Sequence, residues 1–320
     1  MIGRKISVGF GKETVRGTLV AAATWMPKYD VTIHDKKKYI NSNQSFGSIA
    51  ETEDADIIQE WSEGEISGKL RDQSFGYILL ATLGQLASAV KETTAYNHTA
   101  TLLNSNTHPS LSVEVKDDIE QLGFAMAMID KLKITATVGK YVEISAGFKG
   151  TKGVTAATAV SYTNENEFIA KHVIVKVASA IGGLAGATAL PISSVELTID
   201  KNLDDDYVFG KNTPNDIYNK SIAISGTIDA TYLDLTTFKN AFLAGTMQAM
   251  LIDIKNTDVT IGAASNPELA ITLSRVSFQD WSRKSANDNL VTQAVKFTAH
   301  LDVTTSTMIS AVLTNVKTSY

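Results

Sequence analysis

Short stretches in which hydrophobic and polar residues alternate recur along most of this chain. Residues 111–115 alternate leucine and valine with serine and glutamate, and residues 171–177 (KHVIVKV) and 193–200 (SSVELTID) follow the same two-residue period. A period of two places successive side chains on opposite faces of a strand, so one face is buried and the other meets solvent. The pattern predicts a mainly β protein built from antiparallel strands.

Two segments depart from this alternation and have apolar residues at helical spacing instead. They are residues 72–84 (DQSFGYILLATLG) and residues 232–245 (YLDLTTFKNAFLAG), and each ends in a glycine that suits a helix terminus. In the second segment Asp234 is a suitable cap, and Leu235 begins the apolar side. We therefore expect one α-helix in each half of the chain.

Several short sequence segments of the first half of the chain have similar segments in the second half, in the same order. Residues 108–115 (HPSLSVEV) resemble 266–273 (NPELAITL), 158 residues later. Residues 64–70 (GEISGKL) resemble 222–228 (IAISGTI), and 132–138 (LKITATV) resemble 295–301 (VKFTAHL). Strand-like words recur by chance in β-rich chains, but chance does not keep their order. The order predicts an internal duplication: two tandem β-sandwich or barrel domains, 1–160 and 161–320, each with one flanking α-helix.

Composition narrows the class of protein. The 320 residues are 44% hydrophobic and 20% charged, without a long apolar run, which indicates a folded chain with no membrane anchor, kept in a cytoplasm. There is no cysteine, so disulfides and thiolate chemistry are excluded. The formal net charge is −5 and neither half is basic, which argues against tight binding of nucleic acid.

No motif points to catalysis, a cofactor or a metal. Residues 9–14 (GFGKET) lack the spacing of a phosphate-binding loop, and Lys12 is followed by Glu13 rather than by serine or threonine. The acidic run 204–206 lacks the spaced oxygens of a calcium loop. The five histidines show no metal-binding spacing, and we expect them on the surface or in loops.

One segment, about residues 34–62, combines a basic start with an acidic end. It carries Lys36, Lys37 and Lys38, then seven acids without a base between residues 51 and 65, with apolar residues among them. The segment is either a solvated hairpin or an arm that contacts a neighbouring subunit, where complementary charge sets the register. The candidate inter-subunit residues are Lys36, Lys37, Lys38, Glu51, Glu53, Asp54, Asp56, Ile57, Ile58 and Trp61. Trp61 is equally suited to a core position.

The order of sequence segments in residues 10–153 resembles that in the tail tube (major tail) proteins of long-tailed phages. The similarity comprises the opening ETVRGTLVAAATWMP (13–27), the strand and helix EISGKLRDQSFGYILLATLG, the segment HTATLLNSNTHPSLSVEVKDD, and the closing AMIDKLKITATVGKYVEISAGFKGTKG. The second half matches only through the internal repeat.

The resemblance implies a structural virion protein of a non-contractile, siphovirus-like tail, made in the host bacterial cytoplasm. Domains of that family pair edge to edge into rings around an inner β-barrel, and the rings stack into a hollow tube. A doubled chain implies trimeric rings with pseudo-sixfold symmetry. It implies further copies of the chain as partners, with tape measure, tail terminator and distal tail proteins, and DNA that passes through without specific binding.

Two other classes of function remain open from the sequence. One is another tail or baseplate component of the same fold, which would not polymerise in stacks. The other is a tandem β-sandwich module that binds a carbohydrate or a receptor, although the three tryptophans at positions 25, 61 and 281 are scattered along the chain. An enzyme is not expected, because no catalytic constellation is present.

Overall fold

The computed structural model describes residues 2–234 and 236–320, and the protein it shows is mainly β. The first-half strands are β1 (Ser7–Lys12), β2 (Thr24–Met26), β3 (Asp30–Val31), β4 (His34–Ser42), β5 (Asp54–Lys69), β6 (Gly84–Glu92), β7 (Ala95–Leu102), β8 (Leu111–Lys116), β9 (Gln121–Thr137), β10 (Glu143–Gly150) and β11 (Val154–Thr155). The second-half strands are β12 (Val173–Ala178), β13 (Ile192–Asp200), β14 (Leu203–Asp206), β15 (Asp216–Asn219), β16 (Ala223–Thr231), β17 (Gln248–Lys255), β18 (Glu268–Lys284), β19 (Thr292–His300) and β20 (Ile309–Asn315). The helices are α1 (Phe75–Leu83) and α2 (Ala241–Ala244).

Eight antiparallel strand positions follow one another in what we call the central row. Its order is β3–β4, β5, β10, the C-terminal part of β9, β13, β16, β19 and the C-terminal part of β18. The pairing of β9 with β13 joins the two halves of the chain within this row, from Thr137 opposite Ser194 to Lys131 opposite Asp200. The first-half and second-half strands therefore form one continuous sheet.

Further strands build two outer groups against one face of this row. The first group is β2, β1, β8, the N-terminal part of β9 and β11. The second is β12, β17, the N-terminal part of β18, β20, β7 and β6. Phe10 of β1 stacks on Phe148 of β10 with 5.9 Å between ring centroids, so the buried core lies between the outer strands and the row.

The strand pairing follows the same succession in both halves. The strands β9 and β18 each have 17 residues, and each passes from an outer group into the central row. In both, a bulge interrupts the pairing at this transition, because one extra residue is inserted in the long strand. A bulge increases local twist and redirects a strand, which suits a strand that changes partners.

A glycine opposite a phenylalanine marks the same place in each half. Gly64 of β5 stands opposite Phe148 of β10, and Gly226 of β16 stands opposite Phe297 of β19. A Cβ on Gly64 would lie 2.4 Å from the Cα atom of Ile33, and one on Gly226 would lie 2.4 Å from the Phe297 ring. Both glycines are thus required by close packing at matching positions.

Two of the three repeated segments lie in strands that do not correspond by pairing. The third lies in β5 and β16, which do correspond, but the repeat aligns Gly68 rather than Gly64 with Gly226. Residues 111–116 form β8, which pairs with β1 and β9, whereas residues 268–273 begin β18 and pair with β17 and β20. Residues 132–137 belong to β9, whereas 295–300 belong to β19, whose counterpart by pairing is β10. The repeated segments share the alternation of hydrophobic and polar residues, which is common to all strands. The position of each strand in the sheet is set by the strands with which it pairs.

Both predicted helical segments contain helix, with shorter bounds than predicted. All nine residues of α1 are buried, and it ends at Gly84, whose φ of 88° favours glycine. In the second segment a π-helical turn, Thr236–Asn240, precedes α2, and Gly245 has a φ of 63°. The carboxylate of Asp234 accepts a hydrogen bond from the Thr237 amide at 2.8 Å, as expected of a cap. Leu235 lies outside the described residues.

Candidate assembly surface

The central row has one polar face that the outer strands do not cover. Lysines and acids of neighbouring strands pair across this face. The ion pairs are Lys133–Glu196 (2.7 Å), Lys296–Asp280 (3.0 Å), Lys36–Glu63 (3.7 Å), Lys131–Asp200 (3.8 Å) and Lys284–Asp229 (3.8 Å). Exposed pairs of this kind contribute at most about 1 kcal/mol each, so they balance charge more than they stabilise the fold.

The predicted arm is a long β-hairpin formed by β4 and the N-terminal part of β5. Lys36 stands opposite Trp61 and Lys38 opposite Gln59, and the pairing continues to Ser42 opposite Asp54. The four residues of β4 beyond Lys38 extend the hairpin by about 13 Å, at about 3.3 Å per residue. A hairpin is one of the two forms expected from the sequence.

The charged residues of the hairpin pair near its base. Lys36 contacts Glu63 at 3.7 Å and Lys37 contacts Glu60 at 3.3 Å, so the basic strand is balanced by the strand beside it. The remaining acids Glu51, Glu53, Asp54 and Asp56 lie around the tip, where Glu53 accepts a hydrogen bond from Ser42 Oγ at 2.7 Å. The tip is therefore acidic and the base is neutralised within the chain.

Glu60 anchors the hairpin to the rest of the molecule. Its carboxylate accepts hydrogen bonds from Lys152 Nζ at 3.2 Å and from Asn212 Nδ2 at 3.2 Å, and its amide donates to the Asn212 carbonyl at 2.7 Å. The hydrogen bond from Lys152, followed by that from Lys37, lowers the pKa of Glu60. The anchor fixes the direction in which the hairpin projects.

Large apolar side chains are exposed along the projecting part of the hairpin. Ile57 and Ile58 are 38% and 39% exposed, and four further residues that the charge pattern did not single out are more exposed: Tyr39, Ile40, Phe46 and Ile49. Trp61 is not a core residue, because it lies on the polar face and donates to Glu63 Oε2 at 3.0 Å. The apolar residues of the sequence KYINSNQSFGSI could have predicted this exposed surface, but the charge pattern singles out only the lysines that precede them. Exposed apolar clusters of this size are typical of surfaces that bind another molecule.

Three of the five histidines, at positions 98, 108 and 172, are buried, although surface or loop positions were expected. His108 still lies in the loop between β7 and β8, whereas His98 lies within β7. His98 shares hydrogen bonds with Ser88 Oγ (2.7 Å) and Asn315 Oδ1 (3.0 Å), and His172 contacts Asp258 at 3.2 Å. Burial lowers the pKa of His108 to about 4. Its Nε2 hydrogen-bonds the Leu103 carbonyl at 2.9 Å, whereas its Nδ1 is buried with no hydrogen-bond partner among the described residues. No group of three or more potential metal ligands occurs within residues 2–234 and 236–320.

Glu13, which argued against a phosphate loop, has a structural role. Its carboxylate accepts hydrogen bonds from the amides of Gly17 (2.8 Å) and Met126 (2.7 Å) and from Ser112 Oγ (3.0 Å). A buried carboxylate with several donors holds the turn that follows β1 against β8 and β9. In the part of the chain that the structure describes, no helix is both long and apolar enough to span a membrane.

Comparison with known proteins agrees with these observations. No curated protein matches the sequence. A family model described as "Phage tail tube protein" matches residues 3–304, which is nearly the whole chain. Its fold is mainly β, and the chain belongs to the phage tail tube protein family and is a structural component of the virion.

Proposed function

We propose that this protein forms rings of three copies, and that the rings stack into the hollow tube of a non-contractile phage tail through which DNA passes. The observation that carries this proposal is the central row, with its polar face and an open edge at each end. Eight strand positions per chain give about 24 strands in a ring of three. Closed barrels of 16–18 strands already leave an aqueous channel, so a barrel of this size is hollow.

The trimer follows from a duplication of the tube unit. The shared succession of pairings, the two bulged 17-residue strands and the two glycine–phenylalanine pairs support residues 1–160 and 161–320 as tandem domains. Three copies then supply six related units. The pairing of β20 with β7 adds a first-half hairpin to the edge of the second-half strands, so the two units also exchange an element.

We place the polar face of the row toward the channel, because the outer strands cover the opposite face. Lysines and acids alternate on the polar face, so a polyanion in the channel meets little net attraction. Replacing Glu196 and Asp200 with lysine in the phage should slow DNA ejection. Unchanged ejection kinetics would contradict this orientation.

The hairpin is the part of the chain that we assign to contacts with a neighbouring subunit. Its exposed apolar residues, with the acidic tip, give a second copy something to bury and a charge to recognise. Replacing Ile57 and Ile58 with serine should leave the subunit folded and reduce assembly; normal assembly of this variant would contradict the assignment. Tape measure, tail terminator and distal tail proteins are the further partners of such a tube, assembled in the host cytoplasm.

Negative-stain electron microscopy of the purified protein at low and high concentration tests the function. We expect stacked rings or hollow tubes whose end views average with threefold symmetry. Sixfold averages with six chains in each ring would keep the tube and contradict the duplication. Monodisperse monomers at every concentration would contradict self-assembly and favour a binding module, for which a glycan screen is the next measurement.

A further inference from the structure

The two ends of the central row carry strand edges that have no partner among the described residues. On the C-terminal part of β18, residues 277–284 pair with β19 on one side only. On the β3–β4 segment, residues 30–42 pair with β5 on one side only. An open edge presents N–H and C=O groups that a further strand can satisfy.

The junction between β9 and β13 shows how such edges join in this protein. There the strands run antiparallel, with Lys131 opposite Asp200 and Ile134 opposite Leu197. On the polar face the Lys131–Asp200 ion pair measures 3.8 Å, and on the buried face both Ile134 and Leu197 lie in the core. Lysine opposite aspartate thus marks the register of the internal junction.

The bulges align β18 with β9. In each strand the residue before the bulge stands opposite the phenylalanine of the neighbouring strand: Ile129 opposite Phe148, and Phe278 opposite Phe297. The first paired residue after the bulge is Lys131 in β9 and Asp280 in β18. Asp280 therefore occupies the place that Lys131 has in the internal junction.

The glycines align the β3–β4 segment with β13 in the same way. The residue two positions after Gly64 in β5 stands opposite Val31. The residue two positions after Gly226 in β16 stands opposite Val195. Counting five residues onward from these valines reaches Lys36 in β4 and Asp200 in β13. Lys36 therefore occupies the place that Asp200 has in the internal junction.

We propose that residues 280–284 of one copy pair antiparallel with residues 32–36 of a second copy, with Asp280 opposite Lys36. This interface rests on the ring assembly proposed above and names the strands and register that close it. Inside the chain a lysine of the long strand faces an aspartate. Between copies, β18 supplies the aspartate and β4 supplies the lysine. The junction therefore keeps one lysine–aspartate pair, with the two residues on exchanged strands.

The charges around the two residues agree with this register. Lys36 lies 3.7 Å from Glu63, and Asp280 lies 3.0 Å from Lys296. Joining the edges therefore places four charges across the junction in alternating order: Glu63, Lys36, Asp280, Lys296. A shift by two residues brings Asp280 opposite His34, or opposite Lys38 beside the neutral Gln59, so the full alternation of four charges favours the register with Asp280 opposite Lys36.

The opposite face of the proposed junction is more polar than the internal one. The register places Ile33 opposite Arg283 and Asp35 opposite Trp281, where the internal junction has leucine and isoleucine opposite one another. An edge with fewer apolar residues exposes less hydrophobic surface before assembly. This difference accounts for how a free subunit avoids uncontrolled edge pairing.

Disulfide trapping tests the register directly, because the chain has no cysteine of its own. Protein carrying Lys36→Cys is mixed with protein carrying Asp280→Cys, assembled and mildly oxidised. Opposed residues of an antiparallel pair lie about 4.5–5.5 Å apart at Cα, within the range of a disulfide. We expect at least tenfold more cross-linked dimer than from Asp30→Cys mixed with Asp280→Cys, whose positions lie about 20 Å apart in this register.

Charge reversal gives a second readout. Lys36→Glu should slow assembly about tenfold, and adding Asp280→Lys in the same chain should restore it, whereas Lys220→Glu, with the same change in net charge, should not slow it. Intact rings in the microscope without the Lys36–Asp280 cross-link would overturn the register and leave the tube standing. A failure of the unmodified protein to form rings at any concentration would overturn the proposed function, and the interface with it.

Discussion

The β3–β4 segment and β13 take the same place in the pairing order but end in different surroundings. Each pairs with the strand that carries the packing glycine, β5 or β16. β13 has a second partner in β9, whereas the β3–β4 segment has an open edge. Consequently Leu197 of β13 is 2% exposed, while its counterpart Ile33 is only partly buried. The comparison separates the burial that a strand's own sequence provides from the burial that a second neighbouring strand adds.

The glycines give the largest expected difference between the two places. A Cβ on Gly226 would lie 2.1 Å from the Glu196 carbonyl oxygen, in a strand held on both edges, so Gly226→Ala should cost roughly 4 kcal/mol. A Cβ on Gly64 meets Ile33 at 2.4 Å, but that strand can move outward, so Gly64→Ala should cost about half as much. Urea unfolding of both variants measures the costs, and equal costs would show that the open edge is as rigid as the paired one.

The apolar residues beside these glycines give the next difference. Leu197→Ala should lower the free energy of unfolding by about 3 kcal/mol, because it leaves a cavity between two paired strands. Ile33→Ala should cost about 1 kcal/mol, because the site is already partly open. The same urea titration measures both in the unassembled subunit. A larger loss for Ile33 would mean that the free edge is covered within the chain.

Two lysines extend the comparison to a pH dependence. Lys201 follows β13, is fully buried, and donates to the Ala81 carbonyl at 2.8 Å. Burial, with a smaller contribution from Arg16, lowers its pKa to about 7. Between pH 7 and 10 the unfolded chain therefore binds more protons than the folded one, and stability should rise with pH by up to about 1.4 kcal/mol per unit.

The matched control for that slope is Lys37, which holds the corresponding position within β4 and contacts Glu60 at 3.3 Å. Lys201→Met should flatten the rise between pH 7.5 and 9.5, and Lys37→Met should leave it unchanged. Unfolding curves at several pH values measure the slopes. A wild-type stability that is flat over this range would show that Lys201 is hydrated in solution.

The alternating pattern was enough to predict the β class and strands such as β13, and the helical spacing of apolar residues predicted the segments that contain α1 and α2. Alternation could not align the two halves, since residues 108–115 and 266–273 are alike only in period and lie in strands with different partners. The matching residues, Gly64 with Phe148 and Gly226 with Phe297, are far apart in sequence and become a pattern only when pairing is known. Burial of His98 likewise depends on Asn315, 217 residues away.

The pairing of β20 with β7 has a consequence for the order of events during synthesis. Residues 96–101 emerge from the ribosome long before residues 310–315, which cover their edge. At about 5–20 residues per second the delay is roughly 10–40 s. Until then the nascent chain carries an exposed edge that can pair with a wrong strand, so a host chaperone or rapid translation of the second half would protect the yield of folded subunits.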